Sequence, residues 1–303
     1  MNKYITFDLG GTNIKHGLIQ EDGIFLSKSA YQTERFNLDR FLQHMLQTIE
    51  EYGKNHDIQG IAISMPGYID IYSGYSEMAG AIEALNGKNL KTLLNQQIDL
   101  PIEIENDGNC AAIAEHVSGH AKGCKHFICM TIGTGIGGGI FINGDIFRGS
   151  SFKGGEFGFT VTRLDGDRCE NMHEHASTTA LINTYKSYKN KTGHVDGQQL
   201  FEEIMQDEQV RQMFQEWVSH LCRGIYNLTV TLNPEKFLIG GGVSAQPQLM
   251  EEIHRQLKDY FKWDEFNIPV VPCKYRNDAG MIGAFYHFKK MQNISIGGAR
   301  HDS

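Results

Sequence analysis

Two short stretches hold carboxylates where chemistry could use them. Asp8 closes an apolar run, Tyr4-Ile5-Thr6-Phe7, and is followed by Leu9-Gly10-Gly11-Thr12-Asn13 before a second apolar run over 14–19. β-Branched and aromatic residues favour strands on both sides, and the paired glycines mark a tight turn between them. Glycines in such a turn let backbone N–H groups face an anion with no Cβ in the way. Asp8 then places a carboxylate where a phosphate-bound magnesium ion would need one. A plain hairpin with a solvated aspartate is the competing reading. The second stretch, Glu105-Asn106-Asp107, stands between a predicted strand (101–105) and a small-residue helix (110–115), which aims a side chain into a cleft. Phosphoryl transfer needs such a carboxylate as base for the attacking hydroxyl. Helix capping by Asn106 or Asp107 is the alternative at this position.

Two more glycine turns follow apolar strands, Gly133-Thr134-Gly135-Ile136-Gly137-Gly138-Gly139 and Gly240-Gly241-Gly242. The first satisfies the dinucleotide pattern GxGxxG, which has a physical basis only where a helix follows. Residues 139–144 read instead as strand and turn, so no helix N-terminus is there to hold a pyrophosphate. A Walker-type GxxxxGK[ST] is absent. Three glycine turns after three strands suggest a nucleotide held between two lobes by backbone donors. The two hairpins would face the β- and γ-phosphates, with 240–242 beside the adenosine. Laid over one another at an offset of about 123, Ile5 falls on Ile128, Leu9 on Ile132, Gly10 on Gly133 and Ile19 on Ile142. A duplicated fold would leave that trace.

The elements that position these residues alternate between strand and helix. Strands are expected over 23–29, 60–64, 126–132, 236–239 and 270–271, and helices over 36–52, 90–97, 178–188, 197–205, 210–232 and 278–291. Residues 68–86 and 165–175 lack periodicity, the first reading as a loop, and 293–303 reads as a frayed polar tail. The pattern argues an α/β architecture with a cleft between two lobes. At 303 residues the chain is long enough for two cores, and its 40% hydrophobic content includes no run approaching a membrane span. No secretion signal is seen, and the six cysteines are scattered, so reduced thiols in a cytoplasmic protein are expected. A net charge of −8 disfavours nucleic acid as the main partner.

Together these residues resemble the ROK family of sugar kinases and repressors, within the actin/hexokinase/Hsp70 ATPase superfamily. The features that carry the resemblance are Asp8-Leu9-Gly10-Gly11-Thr12, Pro66-Gly67, Glu105-Asn106-Asp107, residues 131–139, Gly155-Glu156-Phe157-Gly158 and Gly240-Gly241-Gly242-Val243-Ser244. The resemblance implies a two-lobed actin-like (ribonuclease H-like) fold, with lobes over 1–120 (joined by a terminal helix, about 278–303) and 121–277. It implies ATP- and magnesium-dependent phosphorylation of a sugar hydroxyl, usually O6 of a hexose, and commonly a homodimer. Asp107 takes the place of the family's base, and Gly67, Asn106, Asp107, Glu156 and Glu174 fall on sugar-contacting positions. Asp8, Gly10, Gly11, Thr12, Asn13, Lys15, Gly133, Thr134, Gly135, Gly137, Gly240, Gly241 and Gly242 fall on the nucleotide side, with Asp8 also toward magnesium.

The chain departs from the family at its zinc site. Zinc-containing relatives carry a histidine where Phe159 stands, then three cysteines, whereas residues 168–175 hold only Cys169, with His173 and His175. That is not a usual structural zinc set, so no zinc is expected. The same family histidine contacts the sugar near C1 and C2. Phe159 offers an apolar face there, which points to a sugar substituted at that end: a β-glucoside first, with N-acetylmannosamine or glucose as alternatives. A DNA-binding repressor is the reading from another class, but Asp8 lies too near the start for a preceding helix-turn-helix.

Overall fold

The computed structural model describes residues 1–294. The expected polar tail and the end of the expected terminal segment lie, beyond Ile294, outside the described residues. The chain forms two compact units. One comprises Met1–Ser118, Arg148–Gly154 and the chain from Asp278 on; the other comprises Gly119–Phe147 and Gly155–Asn277. Residues 148–154, which the sequence reading counts with the second lobe, pack within the first because Arg148 pairs with Glu105 and Lys153 with Glu77.

In the first unit, β1 (Lys3–Leu9), β2 (Asn13–Gln20) and β3 (Phe25–Gln32) form a meander. Helix α1 (Leu38–Gly53) follows, capped by Asn37, whose side chain accepts the Arg40 N–H; it buries Phe41, Met45 and Ile49 at helical spacing. Strand β4 (Ile58–Met65) pairs parallel to β1 and is buried almost throughout, as an interior parallel strand must be. The expected loop over 68–86 instead carries two short strands, β5 (Tyr68–Ile69) and β6 (Tyr75–Met78), which form a small sheet with β7 (Lys88–Asn89). Helix α2 (Leu90–Asn95) leads to β8 (Ile102–Asn106), parallel to β4, and β8 runs directly into α3 (Asp107–Ser118). Asp107 is therefore the first residue of α3 rather than a residue ahead of it.

The second unit repeats this plan. Strands β9 (Phe127–Ile132) and β10 (Ile136–Ile142) form the hairpin, extended by β11 (Asp145–Ile146). The turn is shorter than the glycine run: Gly137, Gly138 and Gly139 lie in β10, opposite Thr131, Met130 and Cys129. The polar stretch 165–175 is also structured, as β12 (Val161–Asp165), β13 (Arg168–Asn171) and α4 (Met172–Ala176). Helices α5 (Thr178–Lys189), α6 (Gly197–Ile204) and the long α7 (Glu208–Leu232) precede β14 (Lys236–Gly240). Then come α8 (Pro247–Leu257), the short α9 (Trp263–Phe266) and β15 (Val270–Pro272). The sheet orders are β3-β2-β1-β4-β8 and β11-β10-β9-β14-β15, with the hairpin antiparallel and the last two pairings parallel in each. One topology has been used twice.

Helix α10 (Ala279–Met291) returns to the first unit and covers the sheet face opposite α1 with Ala284, Phe285 and Phe288. It packs on α3, whose Cys110, Ala111, Ala112 and Ala114 permit close approach. A Cβ at Gly283 would lie 1.8 Å from the Cys110 carbonyl oxygen. Gly283→Ala must therefore push two helices apart, at a cost of about 1–3 kcal/mol. Urea unfolding should show a lower midpoint; an unchanged midpoint would contradict this packing.

Candidate active site

Asp8 is the penultimate residue of β1 and faces Lys15 on β2 and Ser64 on β4 in register. Its Oδ2 lies 3.2 Å from Lys15 Nζ, and its Oδ1 accepts from the Ser64 hydroxyl at 2.8 Å. The turn beyond it is braced. Gly10 N–H donates to the Asn13 carbonyl at 3.1 Å, and the Thr33 hydroxyl donates to the Gly10 carbonyl at 2.6 Å. Thr33 N–H also donates to the Thr12 carbonyl. Gly11 abuts Ala81, leaving no room for a side chain.

At the junction of β8 and α3 the capping alternative resolves onto Asn106. Its Oδ1 accepts the Asn109 N–H at 3.0 Å, while its Nδ2 donates to the Gly67 carbonyl at 3.0 Å. Gly67 turns at φ +98°, where a Cβ would lie 1.9 Å from the Met78 carbonyl oxygen, so only glycine fits. Asp107 Oδ1 accepts the Gly108 N–H at 2.8 Å. The Asp107 carboxyl is pushed up to about 6, first by desolvation among surrounding groups and then by the Asp8 carboxylate. Its own surface nevertheless stays open to solvent, so the group is crowded yet accessible. A carboxyl titrating near neutrality is suited to accept a proton.

Behind this junction lies Glu105, 1% exposed. Its Oε2 takes Arg148 Nε at 2.9 Å and Nη2 at 2.5 Å, and its Oε1 takes the Asn106 N–H at 2.9 Å and Asn109 Nδ2 at 3.0 Å. Buried His287 has Nδ1 3.6 Å from Oε2, and its pKa is lowered chiefly by burial. The sequence offers no signal for Arg148, which sits in an aperiodic glycine-rich stretch.

In the second unit a cavity of about 650 Å³ is lined by Ile132, Gly133 and Thr134 of the β9–β10 turn, Thr178 and Thr179 of α5, Gly197 and Gln198 of α6, and Gly242 and Val243. Two helices begin here, capped by Ser177 and Asp196. Their N-termini favour anions, while Ile132, Ile182, Phe201 and Val243 offer apolar wall. Of the nucleotide positions predicted in this unit, Gly133, Thr134 and Gly242 line the cavity. Gly135 lies beside His173; Gly137 sits in β10, Gly240 ends β14, and Gly241 makes the bend after it.

Glu156 precedes a 3-10 turn, Phe157–Phe159. Glu174 lies in α4 but is committed locally: its Oε2 accepts the Asn171 N–H at 2.9 Å in a capping box, and its Oε1 pairs with Arg168 at 2.9 Å. The Asn171 N–H first, then Arg168, lowers its pKa. His173, one residue earlier, faces the site segments instead. Its Nδ1 accepts the Ile136 N–H at 3.0 Å, and a Cβ at Gly158 would lie 2.1 Å from its ring. The Phe159 ring, 55% exposed, meets it edge-on at 4.9 Å. Accepting at Nδ1 requires the neutral ring with its proton on Nε2, and burial lowers the His173 pKa accordingly.

The possible zinc ligands do not converge. Cys169 is exposed, His173 is turned to Ile136, and His175 Nε2 lies 2.7 Å from Glu170 Oε2. Arg163 and Arg168 reach the same Glu170 at 3.4 and 3.8 Å, so an ionic hub ties β12, β13 and α4 together. Among the described residues no group of three His, Cys, Asp or Glu side chains could hold a metal ion.

Residues 4–291 match the family model described as "ROK family". The chain belongs to that family, and its duplicated units form the two-lobed actin-like fold. A β-glucoside kinase of Listeria monocytogenes is 34% identical over 96% of this chain and 99% of its own. Among solved structures, the Lmo2764 protein of Listeria monocytogenes, described as a candidate N-acetylmannosamine kinase, superposes with a TM-score of 0.88 at 31% identity over 96% of this chain and 100% of its own. A ROK glucokinase of Streptomyces griseus, in complex with glucose and AMPPNP, gives 0.81 at 27% over 93% and 98%.

The His173–Ile136 bond makes a prediction of its own. As pH falls through the His173 pKa, below the ordinary 6.5, protonation at Nδ1 opposes the Ile136 donor. The Ile136 amide signal in ¹H–¹⁵N spectra should move with that titration, and the movement should vanish in His173→Gln. An Ile136 signal indifferent to pH would contradict the contact.

Proposed function

We propose that the protein is an ATP-dependent sugar kinase that phosphorylates the primary hydroxyl, O6, of a β-glucoside. The observation that carries the reading is Asp107, a solvent-open carboxyl titrating near 6 beside Asp8 at the start of α3. In this reading the sugar hydroxyl hydrogen-bonds to Asp107, which accepts its proton as the oxygen attacks the γ-phosphorus in line. The P–O6 bond forms, the bond to ADP breaks, and ADP carries the electron pair away. Asn106 and Gly67 brace the junction, and the assignment of Asn106 and Glu156 to sugar hydroxyls rests on the family resemblance. Glu174 is the weaker sugar contact in this reading, its carboxylate being shared between Asn171 and Arg168. The cavity above holds the nucleotide, with helix starts toward phosphate and apolar wall toward the base. The Asp8 site suits magnesium carried in with the nucleotide: one carboxylate, oriented by Lys15 and Ser64, with no dedicated cage. Magnesium there supplies shielding of phosphoryl charge.

The β-glucoside preference is supported by Phe159, an exposed ring against His173, and by the named Listeria relative. A cytoplasmic homodimer belongs to the same reading and rests on family resemblance. No helix of the described residues is long and apolar enough to cross a membrane.

Asp107→Ala should lower sugar-dependent ATP turnover by at least about 10²-fold, the usual scale of general-base assistance. Turnover equal to wild type would remove Asp107 from the reaction. An ATP-consumption panel of cellobiose, N-acetylmannosamine and glucose should favour cellobiose. A clear preference for plain glucose would overturn the substrate assignment.

A further inference from the structure

Residues 148–154 form a strap within the first unit. Arg148 at its start grips Glu105, next to Asn106 and Asp107. Phe152 near its middle adopts φ +58°, an uncommon conformation for a bulky L-residue and one that surrounding contacts must hold. The next residue, Lys153, pairs with Glu77 at 2.8 Å and lies 4.9 Å from the Tyr68 ring centroid. The Phe152 ring meets Tyr72 edge-on at 6.2 Å.

Tyr72 is 72% exposed, yet its backbone is fixed. Asp70 Oδ1 accepts the Tyr72 N–H at 3.0 Å, and Asp70 Oδ2 accepts the Ser73 hydroxyl at 2.8 Å. Lys91 donates to the Ile71 carbonyl at 2.8 Å while paired with buried Glu103. A braced turn thus holds an aromatic ring in water, with a strained phenylalanine set against it. Each segment starts beside the Asn106–Asp107 junction. Tyr68 follows Gly67, whose carbonyl takes the Asn106 amide, and Arg148 to Phe152 spans at most about 14 Å.

We propose that Tyr72 and Phe152 form a subsite for the second pyranose ring of a β-linked disaccharide whose first ring is phosphorylated at Asp107. A pyranose presents C–H groups on its faces, which suit aromatic rings, and hydroxyls at its rim, which suit the flanking Lys153 and Glu77. The inference rests on the β-glucoside reading and gives it a place in the structure.

The test is calorimetric titration of cellobiose and of glucose into the full chain, comparing the ratio of the two affinities. Tyr72→Ala and Phe152→Gly should each lower the cellobiose-to-glucose ratio about ten-fold, and Tyr72→Phe should restore it. Phe152→Gly should melt no lower than wild type, because glycine takes that backbone conformation without strain. An unchanged ratio in both variants, or a wild-type protein that does not bind cellobiose, overturns the proposal. ATP consumption measured alongside separates the two readings: cellobiose bound through these rings without phosphate transfer supports the subsite and contradicts the kinase.

Discussion

The buried pair between Glu105 and Arg148 is the constraint on which the first unit's site depends. Glu105 is the residue before the Asn106–Asp107 junction, and each of its oxygens has charged or polar partners. Removing one partner from such a pair typically costs about 3–5 kcal/mol, because the remaining charge stays buried and unpaired. The pair fixes the end of β8, hence the start of α3, hence where the Asp107 carboxyl points. The same guanidinium anchors the strap that carries Phe152. One electrostatic contact therefore sets both where a proton can be taken up and where an aromatic ring is displayed.

The duplicated topology carries different residues at matching positions of its two copies. At the offset that aligns the hairpins, Asp8 in β1 corresponds to Thr131 in β9, and Thr131 pairs in register with Gly137 where Asp8 pairs with Lys15. The first hairpin therefore carries charge, and the second does not. The second unit instead gathers a glycine turn and two helix starts around its cavity, at Gly133, Thr178 and Gly197. A charged hairpin in one unit and an uncharged, glycine-rich one in the other are two variations on a shared plan.

Much of this was legible in the sequence. The apolar runs ending at Asp8 and Ile132 carry the strand signal because strands inside a sheet are buried on both faces, whereas 102–105 alternates Ile and Glu at the edge of its sheet. The strands over 68–78 were not legible, since two to four residues cannot establish a period. Hairpin β12–β13 was hidden because its residues are mostly exposed and polar. The expectation for Glu174 shows a signal that was available: Asn171-x-x-Glu174 is a capping-box spacing, which commits that carboxylate to its own helix. His173 then falls one position earlier, on the face that meets Gly135 and Gly158. Arg148 had no such signal, because a long-range ion pair leaves no local pattern.

The most direct test of the central claim is the pH dependence of kcat/KM for sugar-dependent ATP turnover, compared between wild type and Asp107→Asn. The wild-type rate should rise with pH through an apparent pKa near 6 and then level, because Asp107 accepts a proton only once ionised. The variant should be slow and lack that limb. A wild-type profile flat between about pH 5 and 8, or the same limb in both proteins, would contradict Asp107 as the base.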